Sequence, residues 1–339
     1  MRLRTLVITL LVLLVLAGGA LAGFWYYASN EVAKGIAAWR DDWQAQGGRA
    51  EFADPPIGGF PLELAADFAQ PVLALPSGET WRGPPLVTAR AWLWQLETIR
   101  FVAPGHHEFD LPAGRLALDA NGIEGALAFG GGLLERIELD LRQARLVNRD
   151  TGQELAADAL RLSAGPLAPV EGKDYAIDLA LDLAGLPLPP EAEGAALLGQ
   201  RLERLRLVGV LRGPLAPAAA PRAAAALWRD GGGVLDLAEI ELRWGDLALK
   251  GSGTLTLDEA FRPLGAFSFE TEGLLALIGR LDAAGLLDPA VVPALTTALK
   301  ALASGQGNNG QDRVTLPITA QDGVLSLGLV PIGQLLPLF

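Results

Sequence analysis

The spacing of apolar residues changes twice along the chain, and each change predicts a different kind of element. Thr5 to Ala28 is an unbroken apolar run with no charged side chain, built on Leu6, Leu10, Leu13 and Leu16. It is closed by Phe24, Trp25, Tyr26 and Tyr27. As a helix it reaches about 36 Å, enough for a hydrocarbon layer of about 30 Å. Val32, Ile36, Trp39 and Trp43 then recur at helical spacing, predicting an amphipathic helix that ends at Gly47-Gly48. Its stripe either lies on a bilayer through the two tryptophans or packs on the body behind it.

From Gly58 onward the period shortens to two. Leu62, Leu64 and Ala66 open the series, and residues 137–147, 175–183, 205–211, 234–244, 247–257 and 267–269 continue it. Alternation gives each strand one apolar and one polar or small face, so the body reads as an antiparallel meander. Asn121-Gly122 and Asp322-Gly323 both sit between alternating runs and predict two-residue hairpins. In the second, Ala320 should face Leu325, Ile318 face Leu327 and Leu316 face Leu329, and at Pro317 either the pairing ends or bulges or that side is a sheet edge. Helices are expected over 218–229, 272–284 and 289–303, and a polar loop over 305–310.

These patterns predict a mainly β protein with minor α. An N-terminal transmembrane helix precedes a large curved antiparallel sheet, or a β-sandwich-like body, with a few packed helices. The divisions read as an anchor over 1–30, a linker helix over 31–48, a β-rich region over 49–213 and another over 214–339 with a helical insert at 272–303. Whether the first segment is retained or cut after Ala20-Leu21-Ala22 stays open; the aromatic cluster straight after it favours retention. Arg2 and Arg4 argue for a cytoplasmic N-terminus, Lys34 and Arg40 beyond the segment nearly balance them, and a short tail before a long body favours the body on the far side. The expected location is therefore single-pass in a bacterial inner membrane, with the bulk periplasmic.

Charge and composition narrow the function. The net charge of −12 argues against nucleic-acid binding by a basic face. It also makes the anchor, not surface charge, the means of staying at an anionic membrane. Cysteine is absent, which removes disulfides, thiol catalysis and cysteine-held metals. His106-His107-Glu108 could ligate a metal, but neighbours on a strand point to opposite faces and chelate poorly. Asp178 and Asp182 share one side of a strand without a partner acid nearby in sequence. No nucleotide-binding or hydrolase motif occurs, so no catalytic residue, metal or cofactor is assigned. Trp92 and Trp94, on one face of an expected strand, either fill a core or hold an acyl chain.

Gly58-Gly59-Phe60-Pro61-Leu62, Trp92 to Trp94, Pro104-Gly105-His106, Trp244-Gly245 and Gly251-Ser252-Gly253-Thr254-Leu255 together resemble the DUF2125 family of uncharacterised alphaproteobacterial proteins. So does the tail from Leu316-Pro317 through Asp322-Gly323. The resemblance implies an envelope protein with one N-terminal anchor, and it carries no catalytic residue. The expected architecture is more distantly similar to AsmA-like lipid carriers, an analogy of fold alone. The leading expectation is a non-enzymatic protein presenting an apolar sheet face to lipid or another amphiphile, with Trp92, Trp94, Ile177 and Leu179 as groove residues. The rivals are an envelope scaffold that binds protein partners at sheet edges and a hydrolase with an unrecognised site.

Overall fold

A computed structural model describes residues 2–112, 114–167, 175–192, 194–215, 221–287, 290, 292–306, 312–327 and 330–338. The chain begins with one helix, α1 (Arg2–Ala45), so the expected anchor and linker helix are continuous. It contains no proline, and Gly18, Gly19, Gly23 and Gly35 face open space. The end follows a Schellman pattern: Gly48 N–H donates to Trp43 C=O and Gly47 N–H to Gln44 C=O, with Gly47 at φ +90°. One helix here is long and apolar enough to cross a membrane. Side chains of Leu6 and Leu10 lie outside the described residues, whereas Leu13 and Leu16 are exposed, as a lipid-facing helix requires.

The chain divides into two compact units, one over residues 1–133 and 139–155, the other over 134–138 and 156–339. The divide falls there and not near 213, because the strands before and after 213 are hydrogen-bonded to each other. In the first unit α1 is followed by β1 (Arg49–Glu51), β2 (Ile57–Gly58), β3 (Glu63–Ala69), β4 (Val72–Ala74), β5 (Thr80–Arg82), β6 (Leu86–Trp92), β7 (Gln95–Val102), β8 (Gly105–Leu111), β9 (Gly114–Gly130) and β10 (Leu133–Asn148). Antiparallel pairing runs β1–β4–β5–β8–β9–β7–β6–β3–β2.

The hairpin expected at Asn121-Gly122 does not form. β9 runs straight through it, because its first half pairs with β8 and its second half with β7. Neither residue has the left-handed φ that the turn needs. Two different partners along one strand replace a turn, which local sequence does not reveal.

The stripe on the second half of α1 packs on this unit. Trp43 Nε1 donates to Ala74 C=O at 3.0 Å, Trp39 stacks on Trp43 and Phe52, and Val32 adjoins the core of Trp25, Ala28, Leu64 and Leu93. Of the two alternatives for this helix, packing on the body is the one observed.

The second unit holds the meander. It comprises β11 (Glu154–Gly165), β12 (Tyr175–Pro187), α2 (Ala195–Leu198), β13 (Arg201–Gly213), α3 (Pro221–Asp230), β14 (Val234–Trp244), β15 (Leu247–Leu257) and β16 (Pro263–Glu272). These are followed by α4 (Leu274–Ala283), α5 (Val292–Leu302), β17 (Ala303–Gln306), β18 (Asp312–Gln321), β19 (Val324–Leu327) and β20 (Val330–Gln334). Strands β11 to β16 pair in sequence order, and β18, β19 and β20 continue from β16. The sheet is open and curved.

The Asp322-Gly323 hairpin forms as expected, with both residues at positive φ and the register Ala320 opposite Leu325 and Ile318 opposite Leu327. Leu329, expected opposite Leu316, lies outside the described residues. Pro317 sits opposite Ser268 of β16. The polar loop expected over 305–310 begins as strand, since Gly305 and Gln306 belong to β17. Residues 307–310, like 216–220 before α3, are outside the described residues.

Register carries one apolar row across this sheet: Ala164, Leu179, Gly209 and Leu237 stand opposite one another in turn, as do Leu162, Leu181, Leu207 and Ile240. The row continues through Gly253, Phe267 and Ile318. Phe267 and Phe269 lie over Gly253 and Gly251, where a Cβ would collide with the rings. Helices cover two parts of this face. Ile278 of α4 and Leu299 of α5 bury Val314 and Leu316, and Trp228 of α3 packs with Leu257, Phe261, Leu211 and Leu235.

Candidate functional site

Beside the α3 patch, with Leu235 shared between the two, the apolar face forms a groove of about 410 Å³ in the second unit. Leu162 and Ala164 of β11, Leu179 and Leu181 of β12, Leu207 and Gly209 of β13, and Leu235 and Leu237 of β14 line it, with Ile137 from the 134–138 stretch of β10, which belongs to the second unit. Strand alternation sends these side chains to one face, and register aligns them across strands. Small residues stand among the leucines of the lining. Ala164 and Gly209 flank Leu179 on either side. At Gly209 the register to β14 shifts and the Asp236 carbonyl occupies the place of a Cβ. Such a surface offers shape and dispersion to a hydrocarbon chain and almost nothing to a polar group.

The opposite face is ionic. Arg204 makes a bidentate contact with Asp182, at 3.1 and 2.8 Å, and Arg206 bridges Asp182 and Glu239 at 3.2 Å each. Arg204 hydrogen bonding, reinforced by Arg206, holds the Asp182 carboxyl below its ordinary range. Asp182 is thereby held as the ionised centre of this Arg–Asp–Glu network.

The sequence-expected groove residues separate. Leu179 lines the groove, whereas Ile177 is only 7% exposed and stands opposite Leu211, which packs on Trp228. Ile177 is buried core and lies outside the groove lining. Trp92 and Trp94 belong to the first unit and line no part of this groove. They do not share a strand face: Trp92 ends β6 and Trp94 occupies the following turn, because β6 returns as β7 there. Their rings stack at 5.0 Å and Trp94 is 67% exposed, so this pair does not fill a core. Leu181 was readable as the i+2 neighbour of Leu179, whereas the lining residues of β11, β13 and β14 reach the groove through strand register.

The histidine pair lies in the first unit with its rings on different partners. His106 Nδ1 is 2.7 Å from Asp119, whose hydrogen bond raises the imidazole above its ordinary value. His107 is buried, and burial pushes it down; its Nδ1 accepts from Trp81 Nε1 at 3.2 Å while Nε2 donates to Ala103 C=O at 2.9 Å. Those contacts fix a neutral tautomer with both nitrogens occupied. Among the described residues no three His, Asp or Glu groups gather in a way that could hold a metal ion.

An apolar helix of spanning length followed by an antiparallel β body, with an aliphatic groove on one sheet face, defines a class of architecture and not a reaction. The chain belongs to the family described as an uncharacterized protein conserved in bacteria (DUF2125), which it matches over residues 25–335. No curated protein and no solved structure matches it.

Proposed function

We propose that this chain is a non-enzymatic, single-pass inner-membrane protein whose body lies in the periplasm and binds lipid or another amphiphile in the groove of its second unit. The observation that carries the reading is the groove itself: about 410 Å³, lined by aliphatic side chains at Leu162, Leu179, Leu181, Leu207 and Leu237, on a face whose helices pack elsewhere. That volume falls within the range of about 300–1,000 Å³ usual for small-ligand sites. Arg2 and Arg4 before the apolar segment support the orientation. A scaffold that recruits proteins by strand addition has less support. β20, the last strand among the described pairings, is five residues long and carries Pro331, which cannot donate to an added strand.

The test is photo-crosslinking of the full chain in native membranes with a phospholipid bearing a diazirine on its acyl chain. Adducts on peptides of β11 to β14, lost in Leu179→Asp, are the expected result. Adducts confined to α1 would leave a membrane anchor but no lipid groove.

A further inference from the structure

The first unit carries a separate apolar surface, placed where α1 would leave the bilayer. Two turns make it: Gly58-Gly59-Phe60-Pro61-Leu62 before β3, and Leu93-Trp94 between β6 and β7. The turns are joined, since Leu93 N–H donates to Leu62 C=O at 3.1 Å. Both are fastened to α1 at one level. Trp25, only 7% exposed, donates from Nε1 to Glu63 C=O at 2.6 Å and meets the Phe60 ring edge-on at 5.5 Å. Leu93 and Leu64 bury themselves against Trp25 and Ala28.

With these contacts satisfied, the outer residues still point to solvent. Phe60 is 56% exposed, Trp94 67%, and Leu62 and Leu96 are exposed beside them. Phe24, Tyr26 and Tyr27 of α1 are exposed at the same level. Neither 58–62 nor 91–96 contains a charged residue. From Thr5, about twenty helical residues cover about 30 Å of hydrocarbon, which sets Trp25 at the far boundary. Tryptophan and tyrosine favour that boundary because the ring is apolar and the N–H or O–H stays wet.

We infer that Phe60, Leu62 and Trp94 insert into the headgroup region of the same bilayer that α1 crosses, so that the first unit rests on the membrane by two turn tips. The inference rests on α1 being a transmembrane anchor and is independent of the lipid groove. The occupant is lipid and not a protein partner, because the surface is continuous through Trp25 with the aromatic end of the anchor. The absence of basic residues at both tips makes the contact one of apolar partition, indifferent to anionic lipid.

The native chain has no cysteine, so single labels are unambiguous. Full-length protein carrying an environment-sensitive fluorophore at Leu62→Cys, Trp94→Cys, Leu13→Cys or Ser77→Cys is reconstituted in phosphatidylcholine vesicles and quenched with brominated lipid or aqueous iodide. Ser77 is the wet control. It follows Pro76, which touches Gly47 at the far end of α1, about 30 Å along the helix from Trp25. The expected result is lipid quenching and iodide protection at 62 and 94, iodide access at 77, and no change when phosphatidylglycerol is added. Introducing Trp94→Glu should remove most of the lipid quenching at 62. Iodide access at 62 and 94 equal to that at 77, with position 13 still lipid-quenched, would overturn the inference and leave the anchor standing. Loss of lipid quenching at position 13 as well would overturn the anchor itself. Protection that appears only with anionic lipid would overturn the apolar partition.

Discussion

Each unit leaves apolar side chains uncovered on a β framework, but in opposite shapes. In the first unit they crown turn tips, where Trp94 and Phe60 project beyond the buried Leu93 and Trp25. In the second they floor a groove across strands, where Ala164 and Gly209 stand opposite Leu179. Projecting aromatics suit a broad, layered medium such as a headgroup region, whereas a recess lined by leucine suits one chain at a time. Exposed apolar surface is therefore informative here chiefly through its shape and its neighbours.

Three measurements break or sharpen that comparison. The largest effect is expected at the border of the groove. Trp228 is nearly buried, packs on Leu257 and Phe261, and donates from Nε1 to Arg212 C=O at 2.7 Å. Trp228→Ala should cost about 3–5 kcal/mol in urea unfolding of the second unit. A loss near zero would mean that α3 does not seal this end of the face.

The next effect separates root from tip in the first unit. Leu93→Ala removes a buried side chain and should cost about 2–5 kcal/mol. Trp94→Ala removes an exposed one and should change stability by no more than about 0.5 kcal/mol. Equal losses would show that the Trp94 ring is structural.

The smallest effect is a dependence on pH with two opposite signs. His106 titrates above the ordinary 6.5 when folded, so its contribution is full below 6.5 and is lost as pH rises through the folded value. His107 titrates below 6.5 when folded, so the unfolded chain binds the proton first and stability is lost as pH falls through the window beneath 6.5. As far as these two groups go, stability should be greatest near 6.5. His106→Gln should flatten the alkaline decline and leave the acid decline in place, measured by urea midpoints between about pH 5 and 8.

The sequence by itself determined the elements whose cause is local. An uncharged run from Thr5 to Ala28 can satisfy its backbone in an apolar medium only as a helix. Gly47-Gly48 stops that helix through a left-handed residue, and Asp322-Gly323 turns a hairpin because both residues accept positive φ. Alternation in residues 137–147, 175–183, 205–211 and 234–244 gave the strands and their apolar faces, because side chains on a strand repeat every two residues.

Tertiary structure decided everything that depends on which partner a residue meets. Asn121-Gly122 has the same local signature as Asp322-Gly323, yet pairing of β9 with β8 and then β7 holds it extended. Ile177 and Leu179 are two places apart on one face, yet the first, opposite Leu211, is buried and the second, opposite Gly209, lines the groove. Trp92 and Trp94 read as strand neighbours until the chain turned between them. For the first two the deciding contact lies on another strand, and for the tryptophans it is the tight turn that sets Trp92 opposite Gln95. In all three the placement is set by a contact and not by the residue's own preference.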